Sequence, residues 1–248
     1  MTQVSFLRHG AFFGPEDAQN KTFCIIGAGA TGSWAALMAA KMGWHQFQIW
    51  DLDLVESHNL PNQAYDVRHI GMKKVDALEQ VLLNFNPSIQ VEKHPCFFDH
   101  ENSEHSSALE DYVFIAVDSL DTRKNIYNLL RLHPFVDIVF ETRMGFTHAE
   151  INVLETKNID QIDRIVSMLK TDSQVEESAC NERIISTLVT IVASELVHRL
   201  CTFASLHRHH PDVSDTFSES YQSTFNSLLG KTIYSLAPKL NIYHQKTS

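Results

Sequence analysis

Over the first half of the chain, short apolar runs alternate with stretches of helical spacing. Thr22–Ile26 (TFCII) is an apolar run that ends at a glycine, the pattern of a buried strand. Gly32–Met42 then places Ala, Leu, Met and Trp at helical intervals, and Gly43 closes it. Phe47–Trp50 predicts a second strand. Gly71–Asn84 (GMKKVDALEQVLLN) is amphipathic, with Val75, Leu78, Val81 and Leu82 on one stripe, and it stops before Pro87. Ile89–Val91 and Tyr112–Val117 predict strands three and four, Thr122–Leu132 a helix, and Asp137–Glu141 a fifth strand. Five alternating units predict a doubly wound, mostly parallel α/β sheet, because each parallel connection needs a crossover helix.

Past Met144 the pattern changes. Ala149–Leu154 predicts an extra strand and Asp160–Lys170 a short helix. TDSQVEES (171–178) is acidic and Ser-rich, an exposed loop, and a long apolar helix follows over about Glu182–Phe203. The tail from His207 is polar as far as Leu228–Leu236, a candidate last strand. No internal repeat or low-complexity block divides the 248 residues, so one domain is expected over 1–248.

Composition narrows the function classes. Apolar content of 44% with 20% charged residues is ordinary for a globular protein. The net charge of −10 argues against a nucleic-acid partner, whose phosphates require clustered Lys and Arg. The N-terminus lacks a basic start with an apolar signal core, and no apolar run reaches membrane length. A cytoplasmic protein without a membrane partner is therefore expected. Cys24, Cys96, Cys180 and Cys201 are scattered with no C-x-x-C pair, which suits neither a zinc knuckle nor a disulfide framework. The histidines of HRHHPD, His207, His209 and His210, read as a solvated linker rather than metal ligands.

Chemistry concentrates at the strand ends. Gly27-Ala-Gly29-Ala-Thr-Gly32 lies between the first strand and first helix, where a G-x-G-x-x-G turn lets phosphate approach the backbone and a helix N-terminus. The alternative is a glycine-rich turn with no ligand. Asp51 ends the second strand, where an acid can bind ribose hydroxyls, so a Rossmann-like site for either NAD or ATP fits to this point.

The following residues separate those two nucleotides. They run Asp53, Val55, Glu56, Asn59-Leu-Pro-Asn62-Gln63, Gly71-Met-Lys-Lys74, Asn86-Pro87 and Asp118-Ser-Leu-Asp121-Thr-Arg123. In this order they resemble the ThiF/MoeB/ubiquitin-activating superfamily, with its D-x-D-x-V-x-x-S-N-L-x-R-Q, G-x-x-K, N-P and D-x-x-x-x-R stretches. The resemblance covers about residues 22–153 and implies a nucleotide-binding core there. An N-terminal arm (1–21) would precede it, and a crossover loop, long helix and C-terminal segment (154–248) would follow.

The resemblance implies that Asp51 holds the ribose of ATP, and that Asn59, Gln63 and Lys74 hold the phosphates. Asp118 would coordinate Mg²⁺ beside the α-phosphate, and Arg123 would support that loop. Adenylation brings a carboxylate onto the α-phosphorus, so a lysine and an acid-held metal suit the charge that must be screened. Asn62 stands where the family carries Arg and cannot supply a bidentate phosphate contact; Arg68 is a candidate substitute. The family's paired zinc cysteines are missing, so no structural metal is expected. Arg8 resembles the arginine that such homodimers insert into the neighbour's ATP site; the alternative is a solvated surface charge.

Cys180 stands in ESACNERIIST, before the long helix. Cys-Asn-Glu-Arg partly matches the stretch in which conjugating members form a thioester. A helix N-terminus and Arg183 would favour its thiolate. The alternative is a packing cysteine under the loop. Cys24 belongs to the core, and Cys96 and Cys201 show no sign of chemistry. The resemblance thus implies ATP-dependent adenylation of the C-terminal carboxylate of a ubiquitin-like protein or peptide, with thioester transfer to Cys180 as a further step. A tRNA-modifying dehydratase of the same superfamily, which GSWAA (32–36) also resembles though the acidic charge speaks against tRNA, and a degenerate partner subunit remain open. An NAD-dependent oxidoreductase is disfavoured by the series from Asn59 to Asp118.

Overall fold

The computed structural model describes residues 4–8, 10–144, 148–169, 186–209, 221–226 and 231–235. The first seven elements are β1 (Phe23–Ile26), α1 (Ala30–Met42), β2 (Gln46–Trp50), α2 (Lys74–Phe85), β3 (Gln90–His94), α3 (Ser103–Ser107) and β4 (Asp111–Ile115). The remainder are α4 (Leu120–Leu130), β5 (Val136–Met144), β6 (His148–Glu155), α5 (Ile159–Met168), α6 (Ser186–His209), β7 (Tyr221–Asn226) and β8 (Lys231–Ser235). The strands form one sheet in the order β3-β2-β1-β4-β5-β6-β7-β8, parallel as far as β5 and antiparallel beyond it.

Strand alternation decides the two faces. Phe23 and Ile25 of β1, Tyr112 and Phe114 of β4 and Phe140 of β5 pack into one core with α1, α2 and α6. Their neighbours Cys24, Ile26, Val113, Ile115 and Val139 pack into the other, with α4 and α5. A strand buried on both faces needs no polar alternation, which is why these runs read as continuously apolar. Burial pushes the Cys24 thiol far above its ordinary value and the Cys201 thiol up to about 12, so neither supplies a ready thiolate. The expected assignment of Cys24 to the core holds.

The later elements show three differences from expectation. α6 runs to His209, beyond the expected end at Phe203, and takes in the start of the histidine stretch read as a linker. β7 (YQSTFN) differs from the polar tail expected there, because the consecutive polar residues Gln222, Ser223 and Thr224 break the apolar alternation that marks a strand. The short, wholly polar α3 carries no hydrophobic period to read. β8 falls inside the expected last strand. Thr187–Leu206 has the length and hydropathy of a membrane span. Yet Leu188, Val192, Ala193, Leu196, Val197 and Leu200 are buried in the core shared with α1. Cys180, Arg183 and the 171–178 stretch lie outside the described residues.

After β1 the chain moves to β2 and β3 on one side, then returns to β4 and β5 on the other. The reversal leaves a crevice at the carboxyl ends of β1 and β4. Gly27, Asp51 and Asp118 all lie just beyond the strands bordering it.

Candidate active site

The glycine turn divides into two positions required by packing and one that leaves space. Gly27 has φ +106°, and a Cβ there would sit 2.5 Å from the Ala116 carbonyl oxygen. At Gly32 a Cβ would lie 1.9 Å from the Gly27 carbonyl oxygen, so only glycine lets α1 rest on the turn. Gly29, the N-cap of α1, has no side-chain cap, and a Cβ on it would meet nothing within 4 Å. A bare helix N-terminus facing open space is suited to an anion.

Asp51 ties this turn to the next. Its Oδ2 accepts from the Ala28 amide at 2.7 Å and its Oδ1 from the Asp53 amide at 2.8 Å. Burial raises its pKa, and nearby Lys74 pulls the other way. Each oxygen keeps a further lone pair for a ribose hydroxyl. Lys74 is the first residue of α2 and is buried, with Nζ 2.7 Å from Asp53 Oδ2. The backbones are zipped as well, Lys74 N donating to Asp53 O and Val55 N to Met72 O.

The loop between them is stapled to the first turns of α1. Trp34 Nε1 donates to Asn62 O at 3.0 Å, Ala64 N to Ser33 Oγ at 3.0 Å, and the Tyr65 hydroxyl to Ala28 O at 2.7 Å. Asn59 Oδ1 accepts from Glu56 N, which leaves its amide N–H donors for a ligand. Gln63 Oε1 is buried without a partner. Ser33, Trp34 and Tyr65 escaped the motif-based reading, since nothing local marks a side chain that bonds to a remote carbonyl. Arg68 does not take the place of the missing family arginine here. It is exposed and forks Asp66, with Nη2–Oδ2 at 2.6 Å, and holds that carboxyl well below the usual range.

Asp118 is exposed on the loop from β4 to α4, just ahead of the Ser119 N-cap, whose hydroxyl accepts from Thr122 N. Arg123, expected to support that loop, turns its guanidinium into the core. Its guanidinium is buried, donating to Glu141 Oε1 at 2.5 Å and to Thr142 O at 2.6 Å, and so braces α4 against β5. Glu141 also accepts from Arg143 and Asn152. Burial works to raise its pKa, but Arg123 and Arg143 prevail and hold it below the ordinary value. This cluster was invisible to motif reading, although Glu141 ends the expected fifth strand.

The structure therefore links Gly27, Gly29, Gly32, Asp51, Lys74 and the Asn59–Gln63 loop, sets Asp118 at the neighbouring strand end, and turns Arg123 inward. Arg8 is exposed in the N-terminal arm. Phe12 of that arm stacks on His198 with centroids 4.8 Å apart, and Asp17 pairs with Arg208 at 3.0 Å. Among the described residues no three His, Cys, Asp or Glu side chains are grouped to hold a metal ion.

Known proteins resemble this chain in sequence or in fold. Ubiquitin-like modifier-activating enzyme 5 of Caenorhabditis briggsae is 33% identical over 79 residues, 32% of this chain and 18% of the relative. Its counterpart in Gallus gallus is 32% identical over 123 residues, 45% of this chain and 31% of the relative. The matches thus span less than a third of those relatives' length. The crystal structure of E. coli MccB with ATP superposes with a TM-score of 0.65 at 16% identity, covering 92% of this chain and 67% of that one. PaaA superposes at 0.65 with 17% identity, over 91% and 67%. These two likenesses establish the Rossmann-like α/β fold. Residues 8–232 match the ThiF family, and the chain belongs to it.

Proposed function

We propose that the chain is an ATP-dependent adenylyltransferase that activates the C-terminal carboxylate of a ubiquitin-like protein or a peptide. The observation that carries the reading is Lys74. Its buried ammonium is joined through Asp53 and Asp51 to an open, uncapped helix N-terminus. A redox dinucleotide site requires no such cation. In this reading Asp51 binds the ribose, and the α1 amides with Asn59, Asn62, Gln63 and Lys74 bind the phosphates. Asn62 contributes less than the arginine it replaces. Asp118, exposed at the crevice, would hold Mg²⁺, in keeping with Mg²⁺ sites that use only one or two carboxylates. The ion supplies charge screening at the α-phosphate.

The reaction then joins a substrate carboxylate oxygen to the α-phosphorus while the bond from that phosphorus to the α,β-bridging oxygen breaks, and pyrophosphate leaves with the oxygen and its electron pair. Lys74 stabilises the charge that builds on the departing phosphates. A homodimer in the cytoplasm, with Arg8 of one subunit reaching the other's site and Cys180 taking the acyl group, completes the proposal. MccB has been solved with ATP analogue and MccA together, which supports a peptide as one substrate class. The second reading is a degenerate subunit that needs a partner. It is motivated by Asn62 and by the commitment of Arg68 to Asp66.

ATP–pyrophosphate exchange in the presence of candidate carboxylates tests the proposal. Asp118→Ala should abolish exchange, since the α-phosphate charge is then unscreened. Exchange at the wild-type rate in that variant rejects the metal role. ATP binding no tighter than NAD binding by titration calorimetry rejects the nucleotide assignment. A chain that binds no ATP in isolation leaves the partner-subunit reading.

A further inference from the structure

A lysine at the first position of a helix is electrostatically misplaced, because its charge meets the positive end of the helix dipole. α2 begins with two, Lys73 at the N-cap and Lys74 next to it. Lys74 is buried as well, and an ammonium out of water needs a partner. Asp53 supplies it through the 2.7 Å ion pair, and its carbonyl separately accepts the Lys74 backbone amide at 2.9 Å, which fixes the two residues to each other. The Asp53 amide is in turn fixed on Asp51 Oδ1. The Lys74 side chain is 9% exposed whereas that of Asp53 is 57% exposed, so the acid sits at the mouth and the lysine behind it.

We propose that Asp53 is a positioning residue of the adenylation site, holding the Lys74 ammonium in its aimed orientation when nucleotide is bound. An ammonium has three donors, so one can stay on Asp53 while the others meet phosphate oxygens. The cost is a carboxylate close to the phosphates, tolerable only while Lys74 neutralises it. Two consequences follow. Removing the Asp53 charge frees the lysine to wander, which harms turnover more than nucleotide binding. Removing Lys74 exposes the phosphates to an unpaired Asp53, so neutralising Asp53 as well should recover part of the lost binding.

The inference rests on the adenylation reading and is tested by five full-length proteins: wild type, Asp53→Asn, Asp53→Glu, Lys74→Met and the Asp53→Asn/Lys74→Met double variant. ATP dissociation constants, the kcat and KM of ATP–pyrophosphate exchange, and melting temperatures are measured for each. Asp53→Asn should lower kcat at least tenfold while changing KM and ATP affinity less than threefold, and Asp53→Glu should recover part of kcat. Lys74→Met should weaken ATP at least tenfold, and the double variant should bind ATP more tightly than Lys74→Met alone. Equal effects of Asp53→Asn in both backgrounds, or loss of kcat, affinity and melting temperature together, overturn the positioning role. A wild type that binds ATP but never exchanges pyrophosphate overturns the adenylation reading. The binding half of the cycle then still decides the pairing.

Discussion

The glycine turn offers a paired perturbation in which fold and ligand effects should separate. At Gly32 an added methyl would sit 1.9 Å from the Gly27 carbonyl oxygen, about 1 Å inside the closest approach that real Cβ atoms make. The obstacle is backbone, so α1 itself must move off β1. Such overpacking costs about 1–3 kcal/mol or more. At about 2–4 °C per kcal/mol for a chain of this size, Gly32→Ala should lower the melting temperature by roughly 2–12 °C. Gly29 is the opposite case. Its φ of −77° lies outside the left-handed region and the methyl would enter open space, so Gly29→Ala should shift stability by no more than about 0.5 kcal/mol. That same space is where phosphates must lie if they meet the α1 amides. Gly29→Ala should therefore weaken ATP at least tenfold at unchanged melting temperature. Calorimetric melting and ATP titration on the two variants decide the matter. Wild-type ATP affinity in Gly29→Ala, with its stability intact, would refute the placement of phosphate over this helix.

Three further outcomes are expected. Glu141 is fully buried between Arg123 and Arg143, so Glu141→Gln leaves two guanidinium groups facing a neutral amide and should cost about 3–5 kcal/mol in chemical denaturation at pH 7. Because its folded pKa is lowered, that contribution is complete above the ordinary value of 4.5 and is lost as pH falls through the folded value. A gap between variant and wild type that fails to narrow in acid would refute the account. Cys180→Ser should keep pyrophosphate exchange yet lose a thiol-sensitive substrate adduct on non-reducing gels, since a serine hydroxyl is a far weaker nucleophile; an unchanged adduct removes Cys180 from the mechanism. Arg8→Ala and Lys74→Ala proteins, each impaired alone, should recover part of the exchange activity when mixed, because one site of a mixed dimer regains both residues. No recovery, with subunit exchange verified, rejects the trans role.

The parallel half of the fold was legible because its central strands, β1, β2, β4 and β5, are largely buried. Phe23 through Ile26 can be uniformly apolar only there, and the helices α2 and α4 carry amphipathic stripes, whereas α1 is apolar on most of its faces. The antiparallel extension was less legible. β7 is mostly polar and is defined by its pairing to β6, Tyr221 with Val153 through Asn226 with His148, a relation between distant segments that no local pattern encodes.

The same division runs through the candidate site. Gly27, Gly32 and Asp51 could be read because their roles are local: a positive φ, a close backbone approach, and an acid at a strand end. Lys74 could be placed in the set only by resemblance, since its own surroundings, an apolar stripe and a helix start, predict a surface lysine. Its burial follows from Asp53, which lies 21 positions earlier, and the loop between them is held by Trp34, Ser33 and Tyr65 across separations of 28 to 37 residues. Arg123 shows the converse. Its spacing from Asp118 suggested a loop support near the ligand, yet Glu141, 18 positions later, offers a buried anion that competes for the guanidinium. A fully buried carboxylate strongly favours a cationic partner, and among the described residues Arg123 and Arg143 pair with it. Where a side chain's partner is remote in sequence, burial energetics choose between the motif's role and the core's, and at Arg123 the core prevails.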